Sequence, residues 1–233
     1  MNSRKDNQQS GFSLLELLIA MVITISLMTA ATTLLASALR IRSRENQKSD
    51  ALADTQRALN IMSREIASTG FNLINNGIID TESGADRIRI RANLNKYDFS
   101  SGVSDGQRMN VHFDDQDREE DISFFISEAS DTKYLARHDA ADGLRSTVLA
   151  NRIDAMNIHY YGQKVTYTAL PNATDISGAS ASEVAPSAAK YVVIALAVRL
   201  DAVGTPGSDG YQPEYTTLLC SDVTLRNADL WIY

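Results

Sequence analysis

Residues 12–39 form an apolar run of about 28 residues in which Glu16 is the only ionisable side chain. As a helix the run extends roughly 42 Å at about 1.5 Å per residue, more than the roughly 30 Å of a bilayer's hydrocarbon. A charged carboxylate inside such a span costs about 2–4 kcal/mol on insertion scales unless something pairs with it. One long membrane helix is therefore expected, with a carboxylate near its start that needs a partner.

The leader, residues 1–11, carries Arg4, Lys5 and Asp6 and then the uncharged Asn7-Gln8-Gln9-Ser10-Gly11. A secretory signal peptide places its apolar core before the cleavage site. Here the only plausible processing point precedes the apolar run. Basic residues flank both ends of the run, with Arg4 and Lys5 before it and Arg40, Arg42, Arg44 and Lys48 after it. The positive-inside rule therefore does not fix the orientation.

Residues 40–68 contain neither Gly nor Pro, and Leu52, Leu59, Met62 and Ile66 recur at helical spacing. This second stretch (residues 40–69) reads as an amphipathic continuation of the same helix, stopped at Thr69-Gly70. Together the two halves predict one helix near 80 Å long. Its apolar half projects and its amphipathic half packs on a domain.

Residues 70–233 are long enough for one domain with a real core. Arg87-Ile88-Arg89-Ile90-Arg91 alternates as a half-exposed strand does. Residues 122–126 and 133–137 flank a hairpin turn at Ser130-Asp131-Thr132, and residues 153–161 and 215–225 read as further strands. Residues 191–200 are the most apolar segment of this part and are expected to form a central strand. Residues 168–189 and 204–213 are expected loops. The fold class is α+β, a long helix backed by a mainly antiparallel sheet.

Gly11-Phe12-Ser13-Leu14-Leu15-Glu16 and the run behind it resemble the N-terminal signal of type IV prepilins and of type II secretion pseudopilins. The resemblance implies cleavage by prepilin peptidase between Gly11 and Phe12, and N-methylation of Phe12. It also implies a partner for Glu16, the Phe12 amine of a neighbouring subunit in a hydrophobic filament core. Pairing of that kind removes most of the burial penalty and sets assembly register, as a buried polar group does in a coiled coil.

Further pieces are similar to PilW-type minor pilins. They are Met62-Ser63-Arg64-Glu65-Ile66 leading to Gly70-Phe71, Tyr134-Leu135-Ala136-Arg137, Leu149-Ala150-Asn151-Arg152-Ile153, Ile158-His159-Tyr160-Tyr161 and Val223-Thr224-Leu225-Arg226-Asn227. The J-type pseudopilin of type II secretion is the nearest rival. The first proline is Pro171, so the helix-kinking proline of many major pilins is absent, which favours a minor subunit.

The resemblance places the chain in the inner membrane with a periplasmic head, and afterwards in a filament or at its tip. Expected partners are prepilin peptidase, other major and minor pilins, the inner-membrane assembly platform and, before assembly, the lipid bilayer. The alternative to an assembly role is a head that binds a surface or DNA for adhesion or uptake.

Charge bears on that alternative. Residues 70–233 hold 14 Lys and Arg against 23 Asp and Glu, a balance of −9. An acidic head disfavours nonspecific DNA binding through a broad basic surface. Arg87, Arg89 and Arg91 read as a solvated edge in preference to a local basic stripe.

Cys220 is the lone cysteine, so no intramolecular disulfide forms, and a small buried hydrophobe is its expected role. His112, His138 and His159 show no metal-ligand spacing. Within the acidic run 114–121, Asp115, Asp117, Glu119 and Asp121 alternate as the oxygen ligands of calcium do. Glu120 stands where the turn glycine belongs and Arg118 competes, so a solvated turn is the preferred reading. Asn172-Ala173-Thr174 satisfies a glycosylation sequon. No nucleophile elbow, P-loop or paired-cysteine motif appears, and no enzymatic role is expected.

Overall fold

The structure, a computed structural model, describes residues 13–71, 73, 75–93, 120–130, 132–140, 145–167, 179–208 and 210–228. It has an α+β architecture, one long N-terminal helix with antiparallel sheets. The described residues fall into two compact units, residues 1–46 with 204–211, and residues 47–203 with 212–233.

Helix α1 (Leu14–Ser68) is a single α-helix of 55 residues, about 80 Å long. With no proline in its interior, every N–H is available to the helical ladder and nothing forces a kink. The stripe that packs on the sheets is Ala51, Thr55, Ala58, Leu59, Met62, Ile66 and Ala67. Leu52, expected in this stripe, is only half-buried. The turns beside it bury small residues instead, which allows close approach of the helix, and the Thr55 hydroxyl is satisfied by the Ala51 carbonyl at 2.7 Å.

The helix stops at Gly70, whose φ of +76° is a left-handed conformation that favours glycine. Its last carbonyls do not go unpaired. Asn227 Nδ2 donates to the carbonyls of Ser68 and Thr69, both at 3.1 Å, and the Arg226 N–H donates to Ala67. The segment after the final strand thus acts as the helix's cap from a distance.

Seven strands follow: β1 (Arg87–Arg91), β2 (Asp121–Ala129), β3 (Thr132–Asp139), β4 (Arg145–Asn151), β5 (Ile153–Tyr161), β6 (Tyr191–Leu200) and β7 (Tyr215–Thr224). They form two antiparallel sheets, one ordered β1-β2-β3-β4 and one ordered β5-β6-β7. The β2–β3 hairpin forms where expected. Ala129 pairs with Thr132, and Ser130 turns with φ +51°.

Strand β4 was not among the expected strands, and the division into two sheets was not foreseen. The chain changes sheets within one residue, Arg152, held at φ +62° between β4 and β5. The Arg152 carbonyl accepts the Arg199 N–H at 3.0 Å, fixing the corner to β6.

A single apolar cluster joins the helix to both sheets, with Met62 and Ile66 packed among Ile88, Phe124, Leu135, Ile158, Ile194 and Leu196. Strand β6 is buried on both faces, as expected of a central strand. Its second face, at Tyr191 and Val193, is covered by Tyr161, Val165, Tyr167, Ala179 and Ala181. Part of the expected 168–189 loop thus lies along the sheet. Glu183 bridges Tyr161, and Pro186–Ala188 make a short 3-10 turn.

Candidate functional site: the N-terminal apolar helix

Gly11 and Phe12 lie outside the described residues, as does the rest of the leader. The first turn of the helix opens with the Ser13 carbonyl, which accepts the Leu17 N–H at 3.1 Å. Glu16 sits in that turn and is exposed. A carboxylate there complements the positive end of the helix dipole, worth about 0.3–1 kcal/mol. Among the described residues, no side chain pairs with it.

From Leu14 to Asp50 no residue is buried. Leu14 is 82% exposed and Leu34 70%, so the apolar surface of the run is left open by the described residues. The hydroxyl side chains of residues 24–37 are internally satisfied. The hydroxyls of Thr24, Ser26 and Thr29 donate to the carbonyls of Ala20, Val22 and Ile25 at 2.7–2.8 Å. Thr32, Thr33 and Ser37 bond back to the preceding turn in the same way. In lipid, a hydroxyl that finds no partner is costly, and this pattern leaves the span with none to satisfy. Among the described residues, α1 is the one helix long and apolar enough to cross a membrane.

At the end of the apolar run the chemistry changes at once. Arg40 stands against Gly210, where an added Cβ would meet its Nη1 at 2.8 Å. Lys48 Nζ lies 4.2 Å from the centroid of the Tyr215 ring, a cation–π contact.

The sequence matches the prokaryotic N-terminal methylation motif over residues 6–32. The N-terminus is prepilin-like. This motif marks a type IV pilin-like protein processed by prepilin peptidase, and it implies a structural part with other pilin subunits as assembly partners. The prepilin motif and the apolar helix behind it fit a membrane-anchored pilin. No curated protein and no solved structure matches the chain.

Elsewhere in the protein the charged residues have other partners than expected. Arg89 and Arg91 are not a solvated edge. Arg89 forks onto Asp121, Nε to Oδ1 at 2.7 Å and Nη2 to Oδ2 at 2.8 Å, and also pairs with Glu82. Arg91 Nε reaches Asp121 Oδ2 at 2.8 Å. Strand β1 is the outermost strand of its sheet, with its outer side bonded to residues 77–79, and alternation puts both guanidinia over a carboxylate that is 0% exposed. Arg87 alone is solvated. Burial pushes the Asp121 carboxyl up, and Arg89 and Arg91 outweigh it, so its pKa lies below the usual carboxylate range.

Of the four calcium candidates, Asp121 thus has both oxygens on arginines, and Asp115, Asp117 and Glu119 lie outside the described residues. Among the described residues no group of three His, Cys, Asp or Glu could hold a metal ion. His112 and Asn172 also lie outside them. His138 Nδ1 meets Ser146 Oγ at 3.2 Å, and His159 Nδ1 meets Glu183 Oε1 at 2.6 Å, so each histidine has its own partner. Cys220 is partly buried in β7, where burial and then the nearby Asp222 carboxylate push its thiol up to about 11.

Sequence reading missed one grouping. Arg64 and Glu65 on the helix, Arg137 on β3 and Arg226 after β7 come to one cleft at the helix end. No local spacing links residues so far apart in the chain.

Proposed function

We propose that this protein is a minor pilin of the PilW type. It inserts in the bacterial inner membrane with its head in the periplasm, is cut between Gly11 and Phe12, is methylated on Phe12, and joins or initiates a type IV pilus. The observation that carries the reading is Glu16, a solitary carboxylate on a bare apolar helix whose own described residues supply no partner. The amine that cleavage would create on Phe12 of an adjacent subunit has the charge and position to pair with it. An unbroken helix, with no proline to kink it, also supports a minor subunit.

Expression in the native host with Gly11→Val and Glu16→Ala variants tests this. Mass spectrometry of the wild type should show loss of residues 1–11 and one added methyl group, whereas Gly11→Val should remain full length. Glu16→Ala should be processed and stay in the membrane but be missing from sheared pili. Incorporation of Glu16→Ala at wild-type level would remove the pairing from the mechanism. Intact pili with failed protein secretion in a deletion strain would instead assign the chain to the J-type pseudopilins.

A further inference from the structure

The cleft at the helix end has a volume of about 320 Å³, and its walls include Arg64, Arg91, Arg137 and Arg226 against Glu65 and Glu120. Four cations and two anions give these walls a surplus of positive charge on a head whose overall balance is −9. Two of the arginines are fixed by existing pairs. Arg137 Nε donates to both oxygens of Glu65 at 3.0 and 3.1 Å, and Arg91 Nε donates to Asp121. Among the described residues neither uses its Nη groups, so each presents a rigid pair of N–H donors. Arg64 and Arg226 are exposed and have no side-chain partner among the described residues. Thr69, also in the wall, has a buried hydroxyl with no hydrogen-bond partner.

We propose that this cleft binds a pair of carboxylates, one held by Arg64 and one by Arg226, with the Nη groups of Arg91 and Arg137 completing the forks. Guanidinium matches a planar carboxylate in bidentate geometry, and the protein already uses that match beside the cleft, where Arg89 Nε and Nη2 fork onto Asp121. Two separated carboxylates place their charges on the two unspent arginines and away from the wall's own glutamates. A compact phosphate dianion concentrates its charge and requires donors on all sides, which Glu65 and Glu120 interrupt. The carboxylates come either from a free dicarboxylate or from neighbouring acidic side chains of a peptide.

Calorimetric titration of the full-length protein in detergent micelles tests the proposal, with glutarate, a capped tetraglutamate peptide and inorganic phosphate as probes. Saturable binding of glutarate identifies a free dicarboxylate site, and binding of the peptide alone identifies acidic side chains. Either should weaken at higher ionic strength. Arg64→Gln/Arg226→Gln should weaken binding about tenfold or more, since hydrogen bonds to charged groups are lost. Arg57→Gln, which removes a surface cation outside the cleft, should leave binding unchanged. The proposal fails if neither carboxylate probe binds saturably, if phosphate binds more tightly than both, or if the double variant binds as the wild type does. Should the double variant unfold, the wild-type titrations decide alone.

Discussion

A carboxylate with no exposed surface keeps its charge only where its partners outweigh the loss of hydration, and Asp121 shows both sides of that balance. Burial favours its neutral form, while a forked contact from Arg89 and a second contact from Arg91 favour the anion and prevail. The folded protein therefore holds this proton more weakly than the unfolded chain does. Its contribution to stability is present above the ordinary value of 3.8 and is lost as pH falls from there through the depressed native value. Denaturant midpoints of the full-length protein should stay level from neutral pH to about pH 5 and drop below about pH 4. Asp121→Asn should remove that acid-induced step. It should also cost about 2–4 kcal/mol at neutral pH, because two arginines lose the charge that holds them. A variant as stable as the wild type would show that solvent replaces the carboxylate without loss.

At the scale of elements, the helix end and β1 cross at close quarters. Gly77 has a φ of +75°, and a Cβ there would lie 2.2 Å from the Arg91 carbonyl oxygen and 2.5 Å from the Gly70 nitrogen. Both neighbours are backbone, and both are already hydrogen-bonded across this junction: Arg91 N–H to Gly77 and Gly70 N–H to Arg91. Gly77→Ala should lower stability by about 3 kcal/mol or more, whereas Gly84→Ala, with open space around it, should change it by less than about 0.5 kcal/mol. Equilibrium unfolding of the two variants separates the cases.

The same junction explains what the sequence could and could not convey. Strands β1, β5 and β6 were legible because alternation or an unbroken apolar run is a local signal. Strand β4 was not, since Arg145, Ser146, Thr147 and Val148 are all exposed and only Leu149 and Ala150 turn inward. The sheet change at Arg152 depends on one positive φ in a residue that seldom adopts it. The pairing of Arg89 and Arg91 with Asp121 spans a register, which no short window contains. Glu16 stood out for the opposite reason, as one charge in an apolar run that needed no tertiary information to be noticed.

For the molecule as a whole, the helix serves two solvents in succession. None of the described residues before Asp50 is buried, while Met62 is 0% exposed in the core that unites both sheets. The physical demands on the two halves are thus separable, and substitutions should separate them. Leu27, 66% exposed, lies within the apolar run. Leu27→Lys adds about 3 kcal/mol to the cost of insertion. It should release the protein from floated membranes while leaving the denaturation midpoint of its folded core unchanged. Met62→Ala opens a cavity in the core and should cost about 2–4 kcal/mol of stability with membrane retention intact. Flotation and unfolding measured on both variants give four values. If Leu27→Lys lowers the unfolding midpoint or Met62→Ala releases the chain from the membrane, the halves are energetically coupled and the helix is one cooperative element. If the effects stay apart, the continuous backbone joins a span fitted to lipid and subunits with a second span fitted to its own sheets.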